Sequence, residues 1–368
     1  MTLPIATSQR ARHWVSAATL LLGSGLADYW TGDQVSSTLF YVVAVGYTAW
    51  FLGRSEGLLM ALLSGAAWLV SFLLLGGSAW TRSVIWNLAT ETIIYAVIAV
   101  IFGTLQVSFR QTRMMAERLR ASNQALDRET QAVGRLQREL LPAGAPSIPG
   151  YQLSIAYETS THAGGDYFDF VGLPDGRFGL LIADVSGHGA SAAVLMAVTR
   201  TLFQETATDA LPPDRVMSEM AGKLSTLIPE GWFVTGCYAM LDPSSGWLDY
   251  SLAGHDPPLL IRAANRSLES LPAVGGPLLG PFPGMGYETG RTRLEAGDVL
   301  ILYTDGLTEA EDPAGRLLGA DEVRAVLASQ ASTQPEAIRV CLLDRVTRHR
   351  CGVAPADDLT LLILGRQA

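Results

Sequence analysis

Residues 180–189 read LLIADVSGHG, an apolar run that ends at Asp184 and passes into a loop with two glycines. A short continuous apolar run bounded by turn residues is typical of a buried strand, and the residues from Ala190 to Thr206 have helical spacing. A carboxylate at the end of an apolar strand meets either solvent or a metal ion, because an unpartnered buried charge is unstable. This stretch therefore predicts a strand, a loop and a helix that present Asp184 at one pole of a fold.

Three further stretches place acids beside apolar strands. Asp166 and Asp169 lie in GGDYFDF (164–170), Asp305 follows the apolar part of VLILYTDG (299–306), and Asp357 and Asp358 begin DDLTLLIL (357–364). We expect the four acid clusters to converge on one pole of a single sandwich. For any one aspartate a turn or a helix cap is the simpler interpretation, whereas the ordered set favours a metal site.

An oxygen-rich site of this kind suits hard divalent cations such as Mg²⁺ and Mn²⁺. Two such ions about 3.5–4 Å apart hold a water between them, lower its pKa and clamp phosphoryl oxygens during in-line displacement. The acids therefore predict hydrolysis of a phosphate ester without a protein nucleophile.

The rest of this half of the chain alternates short strands with a few helices. Helical stretches are predicted at about Ala190–Thr206, Asp214–Ile228 and Asp321–Ala331. Strands are predicted at RFGLLIADV (177–185), FVTGCYAMLD (233–242), WLDYSLAG (247–254), PLLIRAA (258–264), DVLILYTDG (298–306) and DLTLLILG (358–365). Many strands with a few intervening helices predict two packed sheets flanked by helices.

The charge distribution indicates a second, different domain. The chain of 368 residues has 35 acidic and 26 basic side chains, a net charge of −9 and only 17% charged residues, below the roughly 25% of ordinary soluble domains. The deficit lies between Trp14 and Phe109, where four apolar runs predict membrane-spanning helices. These runs are about Trp14–Ala27, Ser36–Leu52, Gly57–Leu75 and Val84–Leu105.

Arginines before the first run, between the second and third, and after the fourth predict that both ends of the chain lie in the cytoplasm. Glu91, in WNLATE (86–91) of the fourth run, is a candidate signalling residue, because an ionisable group inside a membrane span is usually functional. The competing interpretation is that Glu91 lies near the outer surface and is hydrated. The region from Asp28 to Trp68 resembles a membrane sensor module found ahead of bacterial signalling domains.

A linker of residues 106–149 separates the two domains, which are predicted as 1–105 and 150–368. Leu119, Leu126, Val133 and Leu140 recur every seven residues, a spacing that predicts a short parallel coiled coil and hence a homodimer. The alternative is a single amphipathic helix that lies against the following domain. Prolines at 142, 146 and 149 then end the helix.

Other classes of protein are disfavoured. The acidic balance argues against nucleic acid as a partner, because a nucleic-acid binder needs a basic surface. Cys237, Cys341 and Cys351 are scattered without a metal-ligand spacing, which is typical of reduced cytosolic thiols.

The motifs from Leu136 to Leu364 resemble the metal-dependent protein phosphatases of the protein phosphatase 2C (PP2C) superfamily, in the bacterial SpoIIE/RsbU-like branch. The matching stretches, in chain order, are LQRELLP, GGDYFDF, ADVSGHGASAAVLMA, FVTGCYAMLD with LAGHDPPLL, GGPLLG, LEAGDVLILYTDGLTEAED and DDLTLLIL. The resemblance implies an α+β domain, an α-β-β-α sandwich of two mainly antiparallel sheets, behind the multi-pass helical membrane domain.

The resemblance also implies the site residues. Asp184 matches the ligand that bridges two Mn²⁺ or Mg²⁺ ions, and the Val185 carbonyl is a further ligand. Asp166, Asp305 and Asp357 match the remaining ligands, and we expect Asp184 and Asp305 to be the main catalytic carboxylates. Asp169 and Asp358 are expected to support the ligands from outside.

Two histidines have open roles. His188 is a candidate general acid. Members of the family that have lysine at this position favour a loop or substrate role instead, and in either role His188 would lie outside the set of metal ligands. His255, in AGHDPP, is expected to stabilise a turn.

The implied activity is that of a protein serine/threonine phosphatase anchored in the bacterial cytoplasmic membrane, with its catalytic domain in the cytoplasm. The implied substrate is a phosphorylated anti-sigma-factor antagonist of the STAS type in a partner-switching pathway. Two alternatives are a catalytically silent membrane receptor or scaffold, and a metal-dependent phosphodiesterase of small molecules. The presence of all four predicted ligand carboxylates disfavours the silent protein.

Overall fold

The computed structural model describes residues 7–31, 38–76, 81–330 and 332–367. The chain divides into two compact units, residues 1–124 and 125–368. We call them the helical unit and the sandwich unit, and each is described by itself. The division falls within the long fourth helix, so the second half of the predicted linker belongs to the sandwich unit.

The N-terminal helices correspond to the four predicted apolar runs. They are α1 (Thr7–Thr31), α2 (Thr38–Phe51), α3 (Arg54–Leu74) and α4 (Arg82–Leu140). Ser36 and Ser37, at the start of the second run, lie outside the described residues. By length and composition, α3 and α4 could each cross a membrane, whereas α2 is apolar but shorter. Two described helices therefore meet the requirement for a span, where the sequence analysis predicted four.

Small residues and tyrosines fill the interior of the helical unit. A Cβ atom on Gly57 of α3 would lie 2.6 Å from the Cβ of Ala49 on α2, so these two helices approach closely. Large apolar side chains such as Leu22, Leu39 and Trp86 point outward and are exposed. The buried cluster comprises Ala17, Tyr41, Val45, Ala49, Met60, Ala61, Tyr95 and Ala99.

Glu91 joins two helices of this unit. Its carboxylate accepts hydrogen bonds from the Thr38 hydroxyl of α2, at 2.7 Å, and from the Tyr95 hydroxyl one turn further along α4. The side chain is half-buried. Glu91 is therefore engaged in a cross-helix contact.

The sandwich unit consists of two sheets with two helices on each outer face, which confirms the predicted α-β-β-α arrangement. The first sheet has the strand order β1-β11-β10-β6-β7, and the second has the order β2-β3-β4-β5-β8, with β9 paired to β5. All pairs are antiparallel except β5 with β8. The strands are β1 (Tyr151–Glu158), β2 (Tyr167–Gly172), β3 (Phe178–Val185), β4 (Val234–Leu241), β5 (Trp247–Ala253), β6 (Leu259–Ile261), β7 (Leu268–Ser270), β8 (Gly275–Gly276), β9 (Gly290–Arg293), β10 (Val299–Tyr303) and β11 (Leu359–Arg366).

Alternate residues of the central strands face two different layers. Leu180 and Ile182 of β3 pack between the sheets against Leu300 and Leu362. Leu181 of β3 and its neighbours face α5 (Ala190–Thr206) and α6 (Pro213–Leu227) instead. Such near-continuous apolar strands are expected where both faces of a sheet are covered.

The helices on the first sheet include one that the sequence analysis missed. These are α7 (Ala320–Ser329), near the predicted helix at 321–331, and α8 (Pro335–Arg350), which was not predicted. The buried residues of α8 are Pro335, Ile338, Leu342, Val346 and Arg350, while Val340 is 52% exposed. Because the apolar side chain of Val340 lies outside the buried row, the apolar residues of α8 do not recur with a clear helical period.

Candidate metal centre at one pole of the sandwich

Strand pairing brings the predicted acids to the same end of the sandwich. In the second sheet, Tyr167 of β2 lies opposite Ala183 of β3, so Asp166 and Asp184 are neighbours across this pair. In the first sheet, Tyr303 of β10 lies opposite Leu361 of β11. Asp305 lies two residues after the end of β10 and Asp357 lies two residues before the start of β11, so these two acids also share one end.

Hydrogen bonds across the sandwich join these two pairs of acids. The hydroxyl groups of Thr304 and Thr360, in the first sheet, donate to Oδ2 of Asp166 at 2.8 Å and 2.6 Å. Asp166 is only 1% exposed. Burial, followed by the charge of Asp184, raises the pKa of Asp166 well above its ordinary value. The sequence analysis quoted both threonines within motifs but gave them no role.

The remaining acids repel one another. Burial, followed by the charges of Asp305 and Asp357, raises the pKa of Asp184 to about 8. Burial and then the charge of Asp357 raise the pKa of Asp305 to about 6. Burial also raises the pKa of Asp357. Among the described residues, no arginine or lysine forms an ion pair with any of these four carboxylates, so a bound cation would relieve their repulsion.

The donor set fits hydrated Mg²⁺ or Mn²⁺. Within the described ranges no three His, Cys, Asp or Glu side chains form a compact ligand group, so a shell built of side chains alone is not present. Mg²⁺ usually takes one or two carboxylates and keeps several waters. The Val185 carbonyl oxygen and the Asp184 carboxylate both lie beside Gly165. A Cβ atom on Gly165 would be 2.4 Å from the Val185 oxygen and 3.2 Å from Oδ1 of Asp184.

Asp358 supports the loop that carries Asp166. Its Oδ1 accepts hydrogen bonds from the backbone and the hydroxyl of Ser160, at 2.7 Å and 3.1 Å. Its Oδ2 accepts from the backbone N–H of Gly165 at 2.7 Å. Asp358 is 2% exposed, so the carboxylate is committed to this loop.

Asp169 lies in a different network. It accepts hydrogen bonds from the Tyr167 hydroxyl at 2.5 Å, from Gln204 of α5 at 2.6 Å and from the Phe170 backbone at 2.8 Å. These contacts attach α5 to β2. These hydrogen-bond partners of Asp169 include none of the predicted metal ligands.

The two histidines lie near the acids in different ways. His188 is exposed in the loop after β3, and its charge partly counteracts the raised pKa of Asp357. The flanking glycines, Gly187 and Gly189, have φ angles of 87° and 77°, a left-handed conformation that favours glycine. The loop can therefore present His188 close to Asp357.

His255 is tied to the second sheet. Its Nδ1 lies 3.0 Å from the Thr235 hydroxyl of β4, and burial lowers the pKa of the imidazole to about 4. His255 also lines a cavity of about 200 Å³ beside the acids. The sequence analysis predicted a turn-stabilising residue and missed this cavity, which is lined by Asp184, Thr235, Gly254, His255, Asp256, Asp305, Thr308 and Glu309.

Comparisons with known proteins identify the family of the sandwich unit. The model of the family "Stage II sporulation protein E (SpoIIE)" matches residues 174–367, which is more than half of the chain. Protein IcfG of a Synechocystis species is 23% identical over 259 residues, covering 63% of this chain and 40% of that protein. Phosphoserine phosphatase RsbU of Bacillus subtilis is 26% identical over 231 residues, covering 63% of this chain and 65% of that protein.

A further relative is phosphoserine phosphatase RsbP of Bacillus subtilis, which is 30% identical over 162 residues, 43% of this chain and 40% of that protein. The chain thus spans 40% to 65% of the length of these relatives.

Two solved structures show the same fold. The RsbU and RsbW domains of Rv1364c from Mycobacterium tuberculosis match with a TM-score of 0.52 and 29% identity, covering 62% of this chain and 64% of that one. The SiaA-PP2C domain of Pseudomonas aeruginosa matches with a TM-score of 0.58 and 17% identity, covering 67% and 99%. The matched family model, the fold and the ordered acid motifs agree: the sandwich unit has the fold of a PP2C domain, and the chain belongs to the SpoIIE family.

Proposed function

We propose that this protein is a metal-dependent protein serine/threonine phosphatase. The observation that carries the proposal is the convergence of Asp166, Asp184, Asp305 and Asp357 at one pole, with no cationic side chain paired to them in the described part of the chain. The names of RsbU and RsbP as phosphoserine phosphatases support the same activity. Asp184 and Asp305 are the proposed central carboxylates.

Two divalent ions, Mn²⁺ or Mg²⁺, are the proposed cofactors. Asp184 and the Val185 carbonyl would hold them together with Asp166, Asp305 and Asp357. When bound, the ions supply a water of lowered pKa and a positive clamp for phosphoryl oxygens. These ligand assignments rest on the converging carboxylates and on the family motifs.

The side chains around the acids hold the proposed ligands in position. Thr304 and Thr360 orient Asp166, and Asp358 holds the preceding loop. The cavity beside Asp184 and Asp305 offers the Thr235 and Thr308 hydroxyls and the neutral His255 to a bound phosphoester. Because carboxylates line this pole, we expect a phosphate dianion to bind only when the cations are present.

The proposed substrate is a phosphorylated anti-sigma-factor antagonist of the STAS type. Similarity to RsbU and RsbP, and to a structure that contains RsbU and RsbW domains, supports a partner-switching pathway. Dephosphorylation would release the antagonist to bind its anti-sigma factor. A panel of phosphorylated STAS proteins, with unrelated phosphoproteins and cyclic nucleotides as controls, tests this choice and the phosphodiesterase alternative.

We further propose a multi-pass anchor in the cytoplasmic membrane, with the sandwich unit in the cytoplasm. The apolar lengths of α3 and α4 and the outward-facing Leu22, Leu39 and Trp86 support it. Four spans, as the sequence predicts, would place both ends on the same side. Labelling of single cysteines introduced before α1 and between α3 and α4, in intact cells, tests the topology.

The helical unit is the proposed sensor. A stimulus at the helical unit, with Glu91 as a candidate signalling residue, would shift the helix over residues 106–141 in a homodimer and thereby order the metal site. The Thr38–Glu91–Tyr95 contact between α2 and α4 supports a coupled role for this carboxylate.

The deciding experiment measures hydrolysis of an aryl phosphate and of a phosphoserine peptide by the full chain, with Mn²⁺ or with EDTA. Asp184→Asn and Asp305→Asn are the test variants, and Asp175→Asn, at an exposed turn, is the matched control. We expect Mn²⁺-dependent turnover that both test variants abolish and the control retains. Turnover that survives in both test variants contradicts the site, and metal binding without turnover favours the catalytically silent scaffold.

A further inference from the structure

The end of α4 lies directly against the loop that precedes β2 and carries Asp166. Gln137 of α4 is 3% exposed. Its Nε2 donates to the Gly164 carbonyl at 2.8 Å, and its Oε1 accepts from the Gly164 backbone N–H at 3.0 Å. The Nε2 group also lies 3.2 Å from the Tyr157 hydroxyl of β1. One side chain thus satisfies both backbone polar groups of a single loop residue.

Glycines make this approach possible from both sides. A Cβ atom on Gly134, one turn before Gln137, would lie 1.6 Å from the His162 carbonyl oxygen. A Cβ atom on Gly164 would lie 1.8 Å from Oδ2 of Asp358. The loop is therefore held between α4 on one side and Asp358 on the other.

The contacts continue without a gap to the proposed ligands. Gly164 is held by Gln137, and the next residue, Gly165, donates its N–H to Asp358. The Gly165 carbonyl accepts from the Val185 backbone N–H at 3.4 Å. Asp166 follows immediately, so the position of its carboxylate depends on the same short segment.

We propose that Gln137 is a positioning residue for the metal site, and that it sets the place of Asp166 through Gly164. This inference rests on the proposed function, because Asp166 is a ligand only if the ions bind. It assigns a role to the glutamine of the LQRELLP motif. Nearby contacts of α4 are weaker, because Gln131 and Asp127 meet His162 only at exposed side chains.

A purely structural role predicts a different outcome. If Gln137 only docks the helix, its loss lowers the stability of the fold and leaves the Mn²⁺ requirement of the remaining folded enzyme unchanged. If Gln137 positions Asp166, its loss weakens Mn²⁺ binding, and excess Mn²⁺ restores turnover. Residues that orient metal ligands typically contribute about 10- to 100-fold to metal affinity.

The test uses the full chain in lipid nanodiscs with three variants. Gln137→Leu removes both hydrogen bonds to Gly164. Gly134→Ala pushes α4 away from the loop that precedes β2, because the added Cβ atom would overlap the His162 carbonyl. Gln131→Leu is the control with the same chemical change. The measurements are calorimetric Mn²⁺ affinity, the Mn²⁺ dependence of aryl phosphate turnover, and hydrogen exchange of the peptide that contains Gly164.

For Gln137→Leu and Gly134→Ala we expect Mn²⁺ affinity to fall about 10- to 100-fold, turnover to recover at high Mn²⁺, and the Gly164 amide to exchange faster. Gln131→Leu should match the wild type. Unchanged Mn²⁺ affinity in both test variants, or lost turnover that Mn²⁺ does not restore, overturns the proposal. If Gln137→Leu fails to fold, Gln137→Met decides, because methionine removes the same hydrogen bonds to Gly164 and keeps the unbranched shape of the side chain.

Failure of the proposed function would look different. A wild-type protein that binds Mn²⁺ but hydrolyses no phosphoester contradicts the phosphatase, while the calorimetry and the Gly164 exchange still decide the role of Gln137. A wild-type protein that binds no Mn²⁺ overturns both.

Discussion

The raised pKa of Asp184 shows how strongly burial and the neighbouring carboxylates disfavour negative charge at this pole. Its pKa of about 8 means that the folded, metal-free protein holds a proton that the unfolded chain releases near the ordinary value of 3.8. Asp305 behaves in the same way to a smaller extent. A cation that binds here replaces those protons, so metal binding and pH are linked.

The first prediction is that the metal-free protein loses stability as the pH rises. The pKa of Asp184 is about 8 in the folded protein and 3.8 in the unfolded chain. Its protonation therefore stabilises the fold fully at pH values below 3.8, and this stabilisation is lost as the pH rises towards about 8. Urea unfolding in EDTA, at pH values of about 5 and about 8, should therefore give a lower free energy of unfolding at the higher pH. Asp184→Asn should reduce the difference, and stability that rises over this interval would contradict the assignment.

The second prediction distinguishes the roles of Asp358 and Asp169, for which the sequence analysis predicted the same supporting role. Asp358→Asn disturbs the loop of Asp166, so we expect Mn²⁺ affinity to fall about 10- to 100-fold. Asp169→Asn weakens buried hydrogen bonds from Tyr167 and Gln204, so we expect a loss of about 1–3 kcal/mol in the free energy of unfolding. Calorimetric Mn²⁺ titration and urea unfolding measure the two effects. The same Mn²⁺ affinity in both variants would show that the two acids play equivalent parts.

The helix α4 combines two surfaces with different uses. Gly134 and Gln137 lie against the loop of the sandwich unit. Leu119 and Leu126 are 63% and 64% exposed, whereas Val133 and Leu140 of the same heptad row are half-buried, so only the first half of the row is open to a second copy. The end of the helix thus packs against the sandwich unit, and the coiled coil stays a prediction for the part that carries Leu119 and Leu126.

The third prediction concerns that row. Leu119→Lys together with Leu126→Lys should abolish the proposed homodimer, because two charges would lie in the apolar interface of the predicted coiled coil. Light scattering after size-exclusion chromatography in detergent measures the mass. Gln124→Lys is the control, since this residue lies on the opposite side of the helix from the seam. A dimer that persists in the double variant would place the interface elsewhere.

For the whole molecule, the two units are covalently linked within α4. The fourth prediction is that removing residues 1–105 changes phosphatase activity, because it separates the helix from the proposed sensor. Turnover at saturating Mn²⁺ is compared for the full chain, the shortened chain and the shortened chain joined to a parallel leucine zipper. Equal activity in all three would contradict the proposed coupling.

The amino-acid sequence by itself determined the parts of this protein that depend on local pattern. The apolar runs predicted the sites of α1 to α4, and the strand-like runs predicted β3, β4, β5, β6, β10 and β11. Asp184 and Asp305 were recognisable because each lies at the end of an apolar run. The order of the motifs then indicated the family. α8 was missed because its buried row includes Arg350 and the apolar Val340 lies outside that row, so the helical period is weak.

Only the tertiary structure decided which residues meet across the chain. Thr304 and Thr360 reach Asp166 because the two sheets stack, and these pairs are separated by 138 and 194 residues. Asp169 contacts α5 while Asp358 contacts the loop that carries Asp166, although each lies within three residues of a predicted ligand in the sequence. Gln137 became visible through its contact with Gly164. Local sequence reports the period and polarity of a segment, whereas the partners of a buried polar group depend on packing between distant segments.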